Sequence, residues 1–180
     1  MDYASASMDR FKGIAGEIKH IRSVAYVRGE FWIVVDRIVT DSSRTVETLW
    51  HWHPENNVVQ DRMIVKTENS HGNLAVIPLG KRKFNLELIK GQENPEIQGW
   101  YSPEYNIFGP NTASIYRTEI SGSTNFVWLL LPSGNKMPKI KAKMLSENDD
   151  EVRIQVKSKE KKWTMTIPFM NSARSVLIED

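Results

Sequence analysis

The chain has no cysteine, so a disulfide framework and a thiolate metal site are both excluded. It has no apolar run of about 18 residues, the length a transmembrane helix needs. Its N-terminus lacks the charged-then-apolar pattern of a signal peptide. Charge of one sign is also missing: 24 Lys and Arg against 22 Asp and Glu leave a formal net charge of +2. Nucleic acid as the main partner would need a dominating basic field, which this balance does not supply. No sustained 3.6-residue apolar period is found, and no G-x-S-x-G elbow, P-loop or GxGxxG fingerprint. Serine-hydrolase chemistry, nucleotide binding and hydride transfer are therefore without support.

What is present is a period of two. About a dozen short segments rich in β-branched and aromatic residues recur at intervals of roughly 8–12 residues, each bounded by turn residues. Examples are FWIVV, LAVIPL, ASIYRTEI, NFVWLLL, EVRIQVK and KWTMTIPF. The expected fold class is all-β, an antiparallel β-sandwich. With no linker, low-complexity tract or internal repeat, residues 1–180 are read as one domain. Asp2 to Phe11 reads as an opening strand or a tail, and GWYSPEYNIFGP, residues 99–110, as too irregular for a strand or helix.

The richest stretch runs from His20 to Pro54 and holds three of the four histidines. SVAYV and FWIVV form a hairpin about Arg28-Gly29-Glu30, and a third strand, Thr45 to His53, follows the polar turn Thr40-Asp41-Ser42-Ser43. Alternation puts Val46, Thr48, Trp50 and Trp52 on one face of that strand and His51 and His53 on the other. His20, Asp36 and His51 or His53 then share a neighbourhood, and three such ligands suit a zinc site with an open position. Register decides the matter. A two-residue turn, Gly29-Glu30, sets Ser23 opposite Asp36 and sends His20 to the other face. A three-residue turn, Arg28-Gly29-Glu30, leaves His20 diagonal to Asp36 on one face. The plainer alternative is an acid at a strand end paired with its neighbour Arg37.

Other features are less directive. Trp100, Tyr101 and Tyr105 suit sugar rings if exposed, or pin a long loop to the sandwich. The lysines of KMPKIKAK and KSKEKK either face an acidic polymer or guard strand edges against aggregation.

In order along the chain, DYASASMDRF, HIRSVAYVRGEFWIVVDRI, TVETLWHWHP, GWYSPEYNIFGP and NFVWLLLP resemble the C-terminal domain of heparinase II/III-like polysaccharide lyases. The resemblance covers about residues 2 to 132. It implies the C-terminal β-sandwich of a larger lyase whose N-terminal α/α-toroid supplies the catalytic asparagine, histidine and tyrosine. It implies cleavage of uronic-acid polymers by β-elimination, acidic polysaccharide as the partner, and a periplasmic or secreted parent protein. It also implies a zinc ion held by His20, Asp36 and His51, with His53 the alternative, and its His-x-Arg motif falls on His20 and Arg22; Arg22 joins Trp100, Tyr101 and Tyr105 as the expected substrate contacts. No catalytic residue is assigned within this chain: Ile18 stands where some members carry a histidine, and Arg44 precedes Thr45-Val46-Glu47 where histidine before Thr-Tyr-Glu is common. The isolated chain is expected to be inactive. A stand-alone carbohydrate-binding or structural module is the alternative.

Overall fold

The computed structural model describes residues 1–169 and the backbone of Leu177–Glu179. In chain order the strands are β1 (Asp2–Met8), β2 (Ile18–Val27), β3 (Phe31–Thr40), β4 (Arg44–His51), β5 (Val58–Asp61), β6 (Ile64–Thr67), β7 (Asn73–Leu79) and β8 (Asn85–Lys90). Then come β9 (Trp100–Glu104), β10 (Ile107–Pro110), β11 (Thr112–Ile120), β12 (Thr124–Ser133), β13 (Lys141–Glu147), β14 (Glu151–Lys157), β15 (Lys162–Pro168) and β16 (Leu177–Glu179). All the pairings are antiparallel. No helix occurs among the described residues, so none is long and apolar enough to cross a membrane. The expected antiparallel sandwich is what the chain forms.

The sandwich has three layers. A seven-stranded sheet, β1-β2-β3-β12-β7-β6-β5, lies between the three-stranded sheet β4-β11-β8 and the four-stranded sheet β13-β14-β15-β16. Its middle strands are buried on both faces, which is why FWIVVD and NFVWLLL read as nearly continuous apolar runs. Ile33, Val35, Val127 and Leu129 pack toward Val152, Ile154, Trp163 and Met165 of the four-stranded sheet. The alternate residues Val34, Ile38, Phe126 and Trp128 pack toward Tyr116 and Ile120 of the three-stranded sheet. Burial of two such clusters, at about 25 cal/mol per Å² of apolar surface, is the main favourable term holding the layers together.

The β2–β3 hairpin closes through the three-residue turn Arg28-Gly29-Glu30, with Val27 opposite Phe31. The Glu30 N–H donates to the Val27 carbonyl at 2.9 Å, and Gly29 takes φ +77°, a conformation that costs glycine little.

Two expectations need correction. Residues 99–110 are not irregular: Trp100–Glu104 and Ile107–Pro110 pair as a two-stranded ribbon. Asn106 takes the positive φ of 62° at its tip, and the register shifts between Ile107 and Gly109. Pro103 and a bulge hide the alternation in the sequence, and both are tolerated because neither strand has a second neighbour. The third strand also stops at His51, and Trp52 turns into the core at 5 % exposure. The opening segment is a strand, β1, at the edge of the central sheet. The closing segment ARSVLIE, Ala173 to Glu179, also reads as a strand in the sequence, and part of it lies outside the described residues.

Candidate functional site: a buried carboxylate under a cleft

The three-residue turn fixes the site. It sets Arg22 directly opposite Asp36 and His20 opposite Ile38, so Arg22 faces the carboxylate squarely and His20 lies diagonal to it on the same face. Asp36 is 2 % exposed. Its Oδ1 accepts from His20 Nε2 at 2.7 Å and from Arg22 Nε at 2.6 Å, while its Oδ2 accepts from Arg22 Nη2 at 2.9 Å. Burial pushes the Asp36 carboxyl up, but hydrogen bonds from His20 and Arg22 outweigh it and hold the group below the usual carboxylate range. Asp36 in turn holds the Arg22 guanidinium more firmly protonated, against the opposing effect of burial.

An ionised carboxylate only accepts, so the proton on His20 resides at Nε2 and the lone pair of the neutral ring at Nδ1. The Arg22 fork spends Nε and Nη2 on Asp36, and the guanidinium sits 6.0 Å from the centre of the Trp50 ring. Trp50 leans edge-on against Trp128 at 5.8 Å, and its indole N–H is buried with no hydrogen-bond partner among the described residues. Above the cluster lies a cleft of about 550 Å³ between the β2–β3 face and β4, walled by Phe11, Ile18, Ile38, Thr48 and Phe126. The Arg22 side chain is 46 % exposed and that of His20 29 %, so a ligand in the cleft can reach a fixed cation and an imidazole.

Of the expected zinc ligands, His20 and Asp36 meet, and His51 and His53 do not join them. Among the described residues, no group of three His, Asp or Glu side chains is disposed to hold a metal ion. His51 is exposed on the face of β4 opposite Thr48 and Trp50. His53 packs against Tyr101 with ring centres 5.3 Å apart and lies 3.9 Å from a Glu55 oxygen. Three hydrogen bonds from His20 and Arg22 already engage both Asp36 oxygens, and the guanidinium's positive charge beside them opposes a second cation. As arranged here, the donor set does not fit zinc. The plainer pairing of Asp36 with Arg37 does not form either: Arg37 binds Asn125 at 2.9 Å and Asp149 at 2.7 Å.

The aromatic residues of the β9–β10 ribbon do not line this cleft. Trp100 is pinned by donation of its indole N–H to the Gln92 carbonyl at 2.9 Å and by the Phe108 ring at 5.6 Å. Tyr105, at the ribbon tip, is 94 % exposed, and Phe108 is 71 % exposed.

The family model described as Heparinase II/III-like, C-terminal, matches residues 4–156. The chain belongs to that family. Among solved structures it is similar to heparan sulfate lyase HepC from Pedobacter heparinus, with 19% identity, 96% of this chain and 27% of that chain covered, and a TM-score of 0.77. It is also similar to a heparinase III structure, with 15% identity, coverage of 92% and 26%, and a TM-score of 0.73. At these identities the likeness is one of fold. The Heparinase II/III-like domain described here spans about a quarter of the length of those structures. No match was found among curated proteins.

Proposed function

We propose that this chain is the β-domain of a polysaccharide lyase and that the cleft over Asp36 is one wall of its substrate site. The substrate class is a uronic-acid-containing polysaccharide cleaved by β-elimination. A base removes the C5 proton, the electron pair becomes the C4–C5 double bond, and the 4-linked oxygen departs and is protonated. The observation that carries this is a cation fixed by a buried carboxylate at the floor of a cleft, in a chain of the Heparinase II/III-like C-terminal family.

A proton beside a carboxylate becomes acidic enough to remove when the developing negative charge is stabilised by groups already in place. Arg22 is such a group: Asp36 sets its orientation in advance, and its Nη1 is not engaged by Asp36. His20, whose ring is oriented by the same carboxylate, presents Nδ1 to a sugar hydroxyl. The base and the leaving-group acid belong to an N-terminal α/α-toroid of the same protein, which closes over the cleft. Such a protein works in the periplasm or outside the cell. No step here passes through zinc.

The assay is release of unsaturated uronate from heparan sulfate or alginate, followed by its ultraviolet absorbance. The isolated chain should release none. A protein carrying this domain with its toroid should release it, and Arg22→Gln should reduce that by about a hundredfold, the scale for loss of one preorganised donor. Undiminished turnover in Arg22→Gln would refute the role of the cleft. A second possibility, a carbohydrate-binding module without chemistry, is favoured by the exposed Tyr105 and Phe108. It requires polymer retention without product, whatever domain accompanies the chain.

A further inference from the structure

The outer face of the four-stranded sheet carries an arrangement that the cleft does not use. Val152, Ile154, Val156, Trp163, Met165 and Ile167 fill the core, so alternation turns Gln155, Lys157 and Lys162 outward. The register places Lys141 directly opposite Lys157, and Lys157 directly opposite Lys162. Lys143 stands one row along, opposite Gln155. Neighbouring strands are about 4.8 Å apart, so three ammonium groups follow one line of roughly 10 Å across the sheet. The Ser158 N–H donates to the Lys161 carbonyl at 2.8 Å, which makes Lys157 and Lys162 the next pair out from the turn, where side chains stand closest.

All four lysines are exposed, and none has an ion-pair partner among the described residues. By contrast Lys161, in the adjoining turn, is bound to Glu30. Like charges directly opposite one another on a sheet are destabilising. Guarding an edge accounts for Lys141 and Lys143, because β13 ends the sheet. It does not account for Lys157, because β14 has neighbours on both sides, whereas Lys162 lies beyond Thr164–Thr166, the stretch of β15 that β16 pairs. The row thus carries an electrostatic cost that the fold itself does not require.

We infer that this lysine row is a second binding surface, for an extended anionic polysaccharide, on the far side of the molecule from the Arg22 cleft. The polymer lies across the strands and presents repeated carboxylate or sulfate groups to Lys141, Lys157 and Lys162, with Lys143 and Gln155 beside them. A polysaccharide fits better than a nucleic acid. No aromatic side chain stands at the outward positions of β13 to β15 for bases to stack on, and the whole chain carries a formal charge of only +2. The surface holds polymer and performs no chemistry. Only its choice of polymer rests on the function proposed above.

The test measures binding of the chain to a fluorescently labelled heparan sulfate oligosaccharide, by anisotropy, over a series of salt concentrations. The triple variant Lys141→Ala/Lys157→Ala/Lys162→Ala should lose at least tenfold in affinity, and the slope of log K against log salt should fall by about two. The corresponding triple arginine variant should bind like the wild type. The melting temperature of the alanine variant should not drop, which separates lost binding from lost fold. Three results overturn the inference: wild-type affinity in the alanine variant, no binding by the wild type, or equally tight binding of duplex DNA. Product release that depends on Arg22 and not on these lysines leaves the lyase proposal standing while binding decides this one. Retained, lysine-dependent binding with no product from the longer protein sinks the lyase proposal alone.

Discussion

Replacing Arg22 by methionine should destabilise the chain in a way that grows with pH. The substitution keeps most of the aliphatic stem and removes the guanidinium, leaving a carboxylate 2 % exposed with His20 as its remaining partner. Breaking a buried ion pair by deleting one member typically costs about 3–5 kcal/mol. The Arg22 side chain is 46 % exposed, so water already screens part of the interaction, and about 2 kcal/mol is the expected loss. For a chain of this size that is a fall in melting temperature of about 4–8 °C.

The sign of the pH dependence follows from Asp36. Burial pushes its carboxyl up, but in the wild type the partners outweigh burial and hold it below the ordinary 3.8. The stabilisation is therefore present in full above that ordinary value and is lost as pH falls through the lowered one. Without Arg22, burial prevails and the folded-state value rises above the unfolded one, so the variant loses stability as pH rises through it. The gap between the two proteins should narrow as pH falls below that ordinary value and be widest toward neutrality. Urea unfolding followed by tryptophan fluorescence at several pH values measures it. Arg22→Met/Asp36→Leu, which leaves no uncompensated charge, should recover part of the loss. A cost independent of pH, or below about 0.5 kcal/mol at pH 7, the range of a neutral surface change, would refute this account.

Because Arg22 binds both Asp36 oxygens and no third donor stands beside His20 among the described residues, zinc or a chelator should not move the wild-type melting temperature; a zinc-induced rise of several degrees would show that the guanidinium yields to the ion and that a further ligand joins. Tyr105→Ala/Phe108→Ala, at the exposed ribbon tip, should leave unfolding within about 0.5 kcal/mol of wild type. If the ribbon touches polymer, the same variant should retain heparan sulfate oligosaccharide several-fold less tightly in affinity electrophoresis, and unchanged mobility would remove the ribbon from the binding surface.

Much of this architecture can be read from residue order. Turn residues between alternating segments mark most strand boundaries, and the choice between a two-residue and a three-residue hairpin turn decides whether His20 and Asp36 share a face. What could not be read is which side of a strand is the inside. His51 alternates with Trp50, and only the position of the three-stranded sheet over the central one makes the histidine the outward partner. The choice of Asp36 partner is similar. Arg37 is adjacent in sequence, yet successive side chains on a strand point to opposite faces, so it cannot reach; Arg22 is fourteen residues away and directly opposite. The middle layer also escapes notice, because a strand buried on both faces loses the alternation that would reveal either face. The lysine row is invisible for the same kind of reason: its members lie in three segments, and only the register aligns them.

The closing turn of the β2–β3 hairpin bears on how faithfully the chain folds. Two-residue turns are the commonest closures of a hairpin, and Gly29-Glu30 offers one here. Adopting it would set Ser23 opposite Asp36 and swing both hydrogen-bond partners, His20 and Arg22, to the other side of β2. The carboxylate would then enter the core with neither of them to meet it, a penalty of several kcal/mol. The ion cluster thus acts as a proofreading device. The off-by-one hairpin is penalised once β12 and the three-stranded sheet close over β3, because only then is the carboxylate taken out of water.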